Sequence, residues 1–163
     1  MLEIELAKEL ISRKSITPSD GGCLKFTADY LEKLGFQNEF MPFEDVDNIW
    51  SVYDNGGPLL FFLGHVDVVP TGPEKLWTHD PFAAVEDEKF IHGRGACDMK
   101  GGVAAFLAAL KNTDLENYDV PNGAIMHEEE HHDDEDHDEH EEEHEEHEEN
   151  LGFLANSDFA SES

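Results

Sequence analysis

His65 and Asp67 stand two residues apart in the string GHVDVVP, and Asp98 follows thirty-three residues after His65 inside GRGACDMKGG. An imidazole and two carboxylates are donor types that hold a divalent cation. Two apart on an extended strand, the first pair projects from one face. One member can then bind a metal while the other steadies it, because a metal-bound imidazole commonly donates its second ring N–H to a carboxylate. An isolated HxD also fits a strand end that makes only local hydrogen bonds, so the motif does not decide alone. Asp98 sits in a glycine-rich loop ahead of the strongly helical VAAFLAALKN. There a carboxylate can bridge two cations with its spare lone pairs, or cap the helix that follows.

These residues need elements to position them. Apolar residues at Leu2, Leu6, Ala7, Leu10 and Ile11 predict a first helix over Leu2 to Arg13. SITPSDGG breaks that pattern, and Leu24, Ala28, Leu31 and Leu34 resume it in a second helix stopped by Gly35. Strands are predicted at Phe36 to Phe43, Asn48 to Tyr53 and Leu59 to Leu63, the last an apolar run expected to be buried on both faces. HVD ends that strand at its carboxyl side, where open α/β sheets usually collect functional groups. A hairpin is expected over Val85 to His92, with Asp87 and Glu88 near its tip. Residues 112–122 read as loop, and Gly123 to Met126 as a strand start with no room to finish. The fold class is α/β, a mixed sheet flanked by helices.

The whole chain of 163 residues carries a formal net charge of −29, which argues against nucleic acid and anionic membranes as partners and favours divalent cations. Residues 127–149 hold sixteen acidic residues, seven histidines and nothing else. Cys23 and Cys97 are too few for a disulfide framework, and the start MLEIELAKEL lacks the basic and apolar regions of a signal peptide. No apolar run approaches the ~20 residues that span a bilayer. A reducing cytoplasm is the expected location.

GHVDVVPTG, Trp77, Asp80-Pro81-Phe82 and GRGACDMKGG together resemble the signature of the two-zinc aminoacylase and carboxypeptidase family. SITPSDGG and LWTHDPF narrow the likeness to its succinyl-diaminopimelate desuccinylase branch, over roughly residues 1–111. The resemblance implies an incomplete zinc-peptidase-like catalytic domain with His65 as a ligand of one zinc, Asp67 as the residue orienting the site, and Asp98 as the carboxylate bridging two zincs, with cobalt a possible substitute. It implies cleavage of the amide of N-succinyl-diaminopimelate, a step of lysine synthesis, or of acetylornithine or a dipeptide within the same class. The family's Glu-Glu pair finds its closest match in Glu128 as general base and Glu129 as zinc ligand, although the glycine that should follow is absent. The later carboxylate ligand, the lid or dimerisation domain and the C-terminal histidine ligand have no counterpart. Neither turnover nor the family homodimer is therefore expected of this chain alone.

The sequence thus divides into a partial catalytic domain (1–126), a His, Asp and Glu tract (127–149) and a short tail (150–163). A competing reading makes the chain a non-enzymatic metal-binding fragment or an artificial product, whose working part is the tract, since clustered imidazoles suit zinc, nickel and copper. Near neutral pH the carboxylates repel one another and such composition buries no core, which predicts a solvated, mobile segment. His137, His140, His144 and His147 would share a face in a helix. Protonating them turns repulsion into attraction of ~0.2–0.5 kcal/mol per His–Glu pair. Circular dichroism of a peptide covering residues 127–149 is expected to show helicity rising between about pH 7.5 and 5.5; a flat or falling signal refutes the idea.

Overall fold

The computed structural model of the chain describes residues 1–54, 56, 59–116 and 122–127. The 3.6-residue apolar period yields two helices, α1 (Leu2–Ile11) and α2 (Cys23–Glu32). The first buries Leu6, Ala7, Leu10 and Ile11, and the second buries Cys23, Leu24, Thr27, Ala28 and Leu31. Past α2 the chain reverses at Gly35, whose φ of 92° lies in the left-handed region that glycine enters freely. Phe36 then turns into the core at 4% exposure.

Strands β1 (Gln37–Phe40), β2 (Ile49–Tyr53) and β3 (Leu59–Gly64) follow, then the short hairpin β4 (Val85–Glu86) and β5 (Ile91–His92). Asp87 closes the hairpin tip by accepting the backbone N–H groups of Lys89 at 2.8 Å and Phe90 at 2.9 Å. A wide turn, Ala96–Lys100, leads into α3 (Gly101–Lys111), and β6 (Asn122–His127) comes last. The main sheet has the order β1-β2-β6-β3, with β6 antiparallel to β2 and parallel to β3. Helices and a mixed sheet agree with the class read from the sequence.

Helix α1 packs on α3, and α2 on β1 and β2. Leu10, Ile11, Leu24, Leu31, Ile49, Val66, Val103 and Leu107 form the fully enclosed centre. Phe62 ties β3 to α3 by stacking on Phe106, with ring centroids 4.0 Å apart.

Three sequence readings need correction. Asn122 to His127 complete a six-residue strand where only an unfinished start was expected, because β2 on one side and β3 on the other both offer backbone partners. His127, the first residue of the tract, is also the last residue of this strand. β3 ends at Gly64, so His65 and Asp67 lie in the extended segment beyond it rather than on the strand itself. β3 is not covered on both faces: Leu60 is 53% and Phe61 42% exposed. An apolar run records hydrophobicity, whereas burial also requires a covering element, and among the described residues none closes over these two. Glu128, Glu129, the rest of the tract and the tail lie outside the described residues.

Leu107 is fully buried, so Leu107→Ala is expected to destabilise the protein by about 2–5 kcal/mol through lost contacts and a residual cavity. Leu60→Ala should cost less than about 1 kcal/mol because half of that side chain already meets water. Urea unfolding of the two variants measures the contrast; equal losses would mean that β3 is covered in solution.

Candidate metal centre

Beyond β3 the chain continues through His65, Val66, Asp67 and Val68, with Val66 and Val68 packed inside at 0% and 3% exposure. A segment with no strand neighbour must find other partners for its backbone. The stretch after α1 supplies them. Val68 donates its N–H to the Ser15 carbonyl at 2.8 Å, and Thr17 donates its own to the Val68 carbonyl at 3.1 Å. The buried Ser15 hydroxyl donates to the Val66 carbonyl at 2.7 Å. Thr17 Oγ1 donates to Asp67 Oδ2.

Asp67 in turn holds the imidazole. His65 Nδ1 lies 3.1 Å from Asp67 Oδ1 and 3.2 Å from the Asp67 carbonyl oxygen. Both neighbours are acceptors only, so Nδ1 carries the proton and Nε2 is the nitrogen left to face outward. Nε2 sits 3.1 Å from Asp98 Oδ1.

The Asp98 loop reaches this position through its glycines. Gly95, at φ 78°, packs so closely on the HVD segment that a Cβ there would come within 2.5 Å of Val68 Cγ1. Asp98 and Met99 leave helical geometry, and α3 begins after Lys100 without any side-chain cap. The cap reading of Asp98 therefore does not hold; its carboxylate turns toward His65 instead. The sequence placed three candidates in separate segments, and the fold brings all three together. Thr17, Ser15 and Lys100 escaped the sequence reading. Thr17 and Ser15 fall inside SITPSDGG, where the polar hydroxyls between α1 and α2 were the only available signal.

Charge follows geometry. The hydrogen bond to Asp67 raises the His65 pKa to about 9, burial opposes this, and the bond to Asp98 adds to it. Burial raises the Asp67 carboxyl, but hydrogen bonds from His65 and Thr17 outweigh it and hold the group below the usual carboxylate range. Because the folded pKa of His65 exceeds its ordinary 6.5, its protonation stabilises the metal-free fold fully below pH 6.5, and that contribution is lost as pH rises through about 9.

A cation can take the place of the Nε2 proton. Zinc–nitrogen and zinc–oxygen bonds of about 2.0–2.2 Å at a tetrahedral angle separate two donors by roughly 3.3 Å, close to the 3.1 Å between Nε2 and Oδ1. The imidazole and carboxylate pair thus fits one zinc ion as two of its ligands. Among the described residues no group of three or more His, Cys, Asp or Glu converges to complete a shell. No helix among them is long and apolar enough to cross a membrane.

The surroundings join the remaining motif residues. Arg94 lies over the Trp77 ring, 5.1 Å from its centroid, and Trp77 Nε1 donates to the Thr71 carbonyl at 2.9 Å. Arg94 also donates its backbone N–H to Pro81 at 2.8 Å, which links the DPF turn to the loop carrying Asp98.

The chain belongs to peptidase family M20/M25/M40, whose sequence profile matches residues 61–151. Within that family it is similar to the succinyl-diaminopimelate desuccinylase of Marinobacter nauticus, at 52% identity over 108 residues, covering 66% of this chain and 29% of that protein. Succinyl-diaminopimelate desuccinylase 2 of Alteromonas mediterranea is 47% identical over 124 residues, covering 76% and 32%. The chain therefore spans less than a third of the length of these relatives. An M20 family metallo-carboxypeptidase of Sulfolobus solfataricus superposes with a TM-score of 0.70 at 25% identity, covering 77% of this chain and 30% of that one. Human carnosine dipeptidase 1 shares the fold at a TM-score of 0.66 and 24% identity, covering 77% and 31%.

In the metal-free protein the His65 ring is expected to titrate near pH 9, and Asp67→Asn should bring it back toward 6.5 by removing the leading cause of the shift. Proton NMR of the His65 ring across that range makes the measurement; an unchanged midpoint in the variant would show that Asp67 does not hold the imidazole.

Proposed function

We propose that the chain supplies part of the active site of a two-zinc amidohydrolase acting on N-succinyl-diaminopimelate. The observation that carries this reading is the 3.1 Å approach of His65 Nε2 to Asp98 Oδ1 beyond the carboxyl end of β3. In this reading His65 would hold one zinc, Asp98 would serve both, and Asp67 would fix the imidazole tautomer that leaves Nε2 for the metal. Glu129 is a further ligand, and Glu128 takes a proton from the attacking water and delivers it to the leaving amine. Support for the two glutamates comes from register: β6 runs parallel to β3 and its last residue, His127, pairs with Gly64. Glu128 and Glu129 follow His127 directly in sequence, and Gly64 directly precedes His65. Zinc, when bound, supplies Lewis-acid polarisation of the scissile carbonyl. Cobalt matches the same nitrogen and oxygen donors.

Residues 1–126 form the partial catalytic domain in this reading, residues 127–149 a separate weak cation sink, and residues 150–163 a tail. The free thiols Cys23 and Cys97 suit a reducing cytoplasm. The substrate is a small N-succinyl amino acid, taken from the desuccinylases that the chain resembles at about half identity. The composition of the tract favours a second reading in which cation capture alone is the working property.

Stoichiometry separates the two. A flexible segment must be ordered by each ion it takes, so the tract should bind several ions weakly, whereas His65 and Asp98 are already positioned. In calorimetric titration with zinc, deletion of residues 130–149, which spares β6 and the glutamate pair, is expected to remove most bound zinc. His65→Ala with Asp98→Ala in the full chain should remove about one ion at most. With added zinc the 163-residue chain should release succinate from N-succinyl-diaminopimelate only at background rate. Rapid turnover lost on His65→Ala, or two tight ions surviving the deletion, would mean that the chain completes the site by itself.

A further inference from the structure

Lys100 is completely buried, and burial lowers the pKa of its amine. Burying an ammonium is costly unless its protons are satisfied. Its Nζ donates to the carbonyl oxygens of Leu10 and Arg13, each at 2.9 Å, at the C-terminal end of α1. Each of these oxygens also accepts a backbone N–H, Leu10 from Arg13 at 3.2 Å and Arg13 from Ser15 at 2.9 Å, and a helix C-terminus concentrates partial negative charge, so the amine is received by backbone rather than by a carboxylate. An apolar side chain of similar length would fill the same volume without the desolvation cost, which points to geometry rather than stability as what the charge provides.

The pin acts on the candidate metal centre. Lys100 lies two residues after Asp98, and its backbone N–H closes the loop by donating to the Gly95 carbonyl at 2.9 Å. The piece of chain it grips continues directly into Ser15 and Thr17, which hold Val66, Val68 and Asp67. Both halves of the centre, which lie thirty-three residues apart in sequence, are therefore registered against the single stretch Leu10 to Thr17.

We propose that Lys100 is a positioning residue that sets the separation of Asp98 from His65 by anchoring the Asp98 loop to the backbone stretch that also anchors Asp67. The role rests on the reading that His65 and Asp98 share a metal ion, and the test keeps the two apart. Isotope-labelled full chain is compared with Lys100→Met, which keeps length and loses the donors, and with Lys100→Arg, which keeps a cation able to reach the carbonyls. Without metal, amide exchange at residues 95–99 is expected to quicken at least about tenfold in Lys100→Met while the α2 amides keep their protection. On zinc titration, the His65 ring nitrogen signals should need at least about tenfold more zinc in Lys100→Met, and Lys100→Arg should return to within about threefold of the parent chain. The tract is identical in all three proteins and draws on the same zinc, so the midpoints are compared at equal free zinc.

Unchanged exchange and zinc response in Lys100→Met overturn the proposal, as does equal impairment of both variants while each keeps the parent fold. Should Lys100→Met fail to fold, Lys100→Arg decides: a folded protein with parent-like zinc response supports the pin, and a folded protein with a lost response overturns it. If His65 of the parent chain ignores zinc altogether, the shared-metal reading fails and the metal-free exchange arm alone decides the role of Lys100.

Discussion

Two carboxylates within 3.1 Å of one imidazole form a constraint that the surrounding chain must satisfy. With the ring protonated the group still carries an excess negative charge; with the ring neutral it carries twice that. Asp67 and Asp98 meet this constraint differently. The Asp67 side chain is 9% exposed and spends its oxygens on Thr17 and His65 Nδ1, whereas that of Asp98 is 85% exposed. One carboxylate is thus committed inward as a partner of the ring, and the other is open to solvent with lone pairs to spare. The raised pKa of His65 records the same demand for positive charge, met by a proton when no metal is present.

The residues that meet at the centre were legible in the sequence because they stand as donor types in short, distinctive strings. HVD and the GRGACDMKGG loop identify His65, Asp67 and Asp98 without knowledge of the fold, and α1, α2 and α3 announce themselves through helical periodicity. The hairpin over Val85 to His92 was legible in the same way, with Asp87 at its tip. What stayed hidden is nonlocal. No pattern within SITPSDGG reveals that Thr17 donates to Asp67, fifty residues away, and nothing around Lys100 reveals that its ammonium ends on α1, ninety residues away from Leu10. The apolar run of β3 indicated a strand but could not indicate that Leu60 and Phe61 would lie open.

Strand order explains why the weakest local signal matters most to the sheet. β6 is the last described strand in sequence, yet it lies between β2 and β3 and is the sole described strand hydrogen-bonded to β3 in the main sheet. Its sequence, NGAIMH, is short and carries a glycine, so propensity alone argues weakly for it. Paired on both edges, however, it gains ladder hydrogen bonds that an isolated hairpin strand would lack. Tertiary pairing overrides propensity here, and the strand that leads to His65 depends on the result.

That dependence couples two features otherwise separate in the chain. The acid-rich run begins in sequence directly after His127, whose backbone pairs with Gly64, the residue before His65. Cations attracted to the run and cations attracted to the histidine and carboxylate centre are drawn from one pool, and carboxylates in the run repel one another over distances up to about 10 Å at moderate salt. β6 is therefore the described strand that both leads into the run in sequence and pairs with β3.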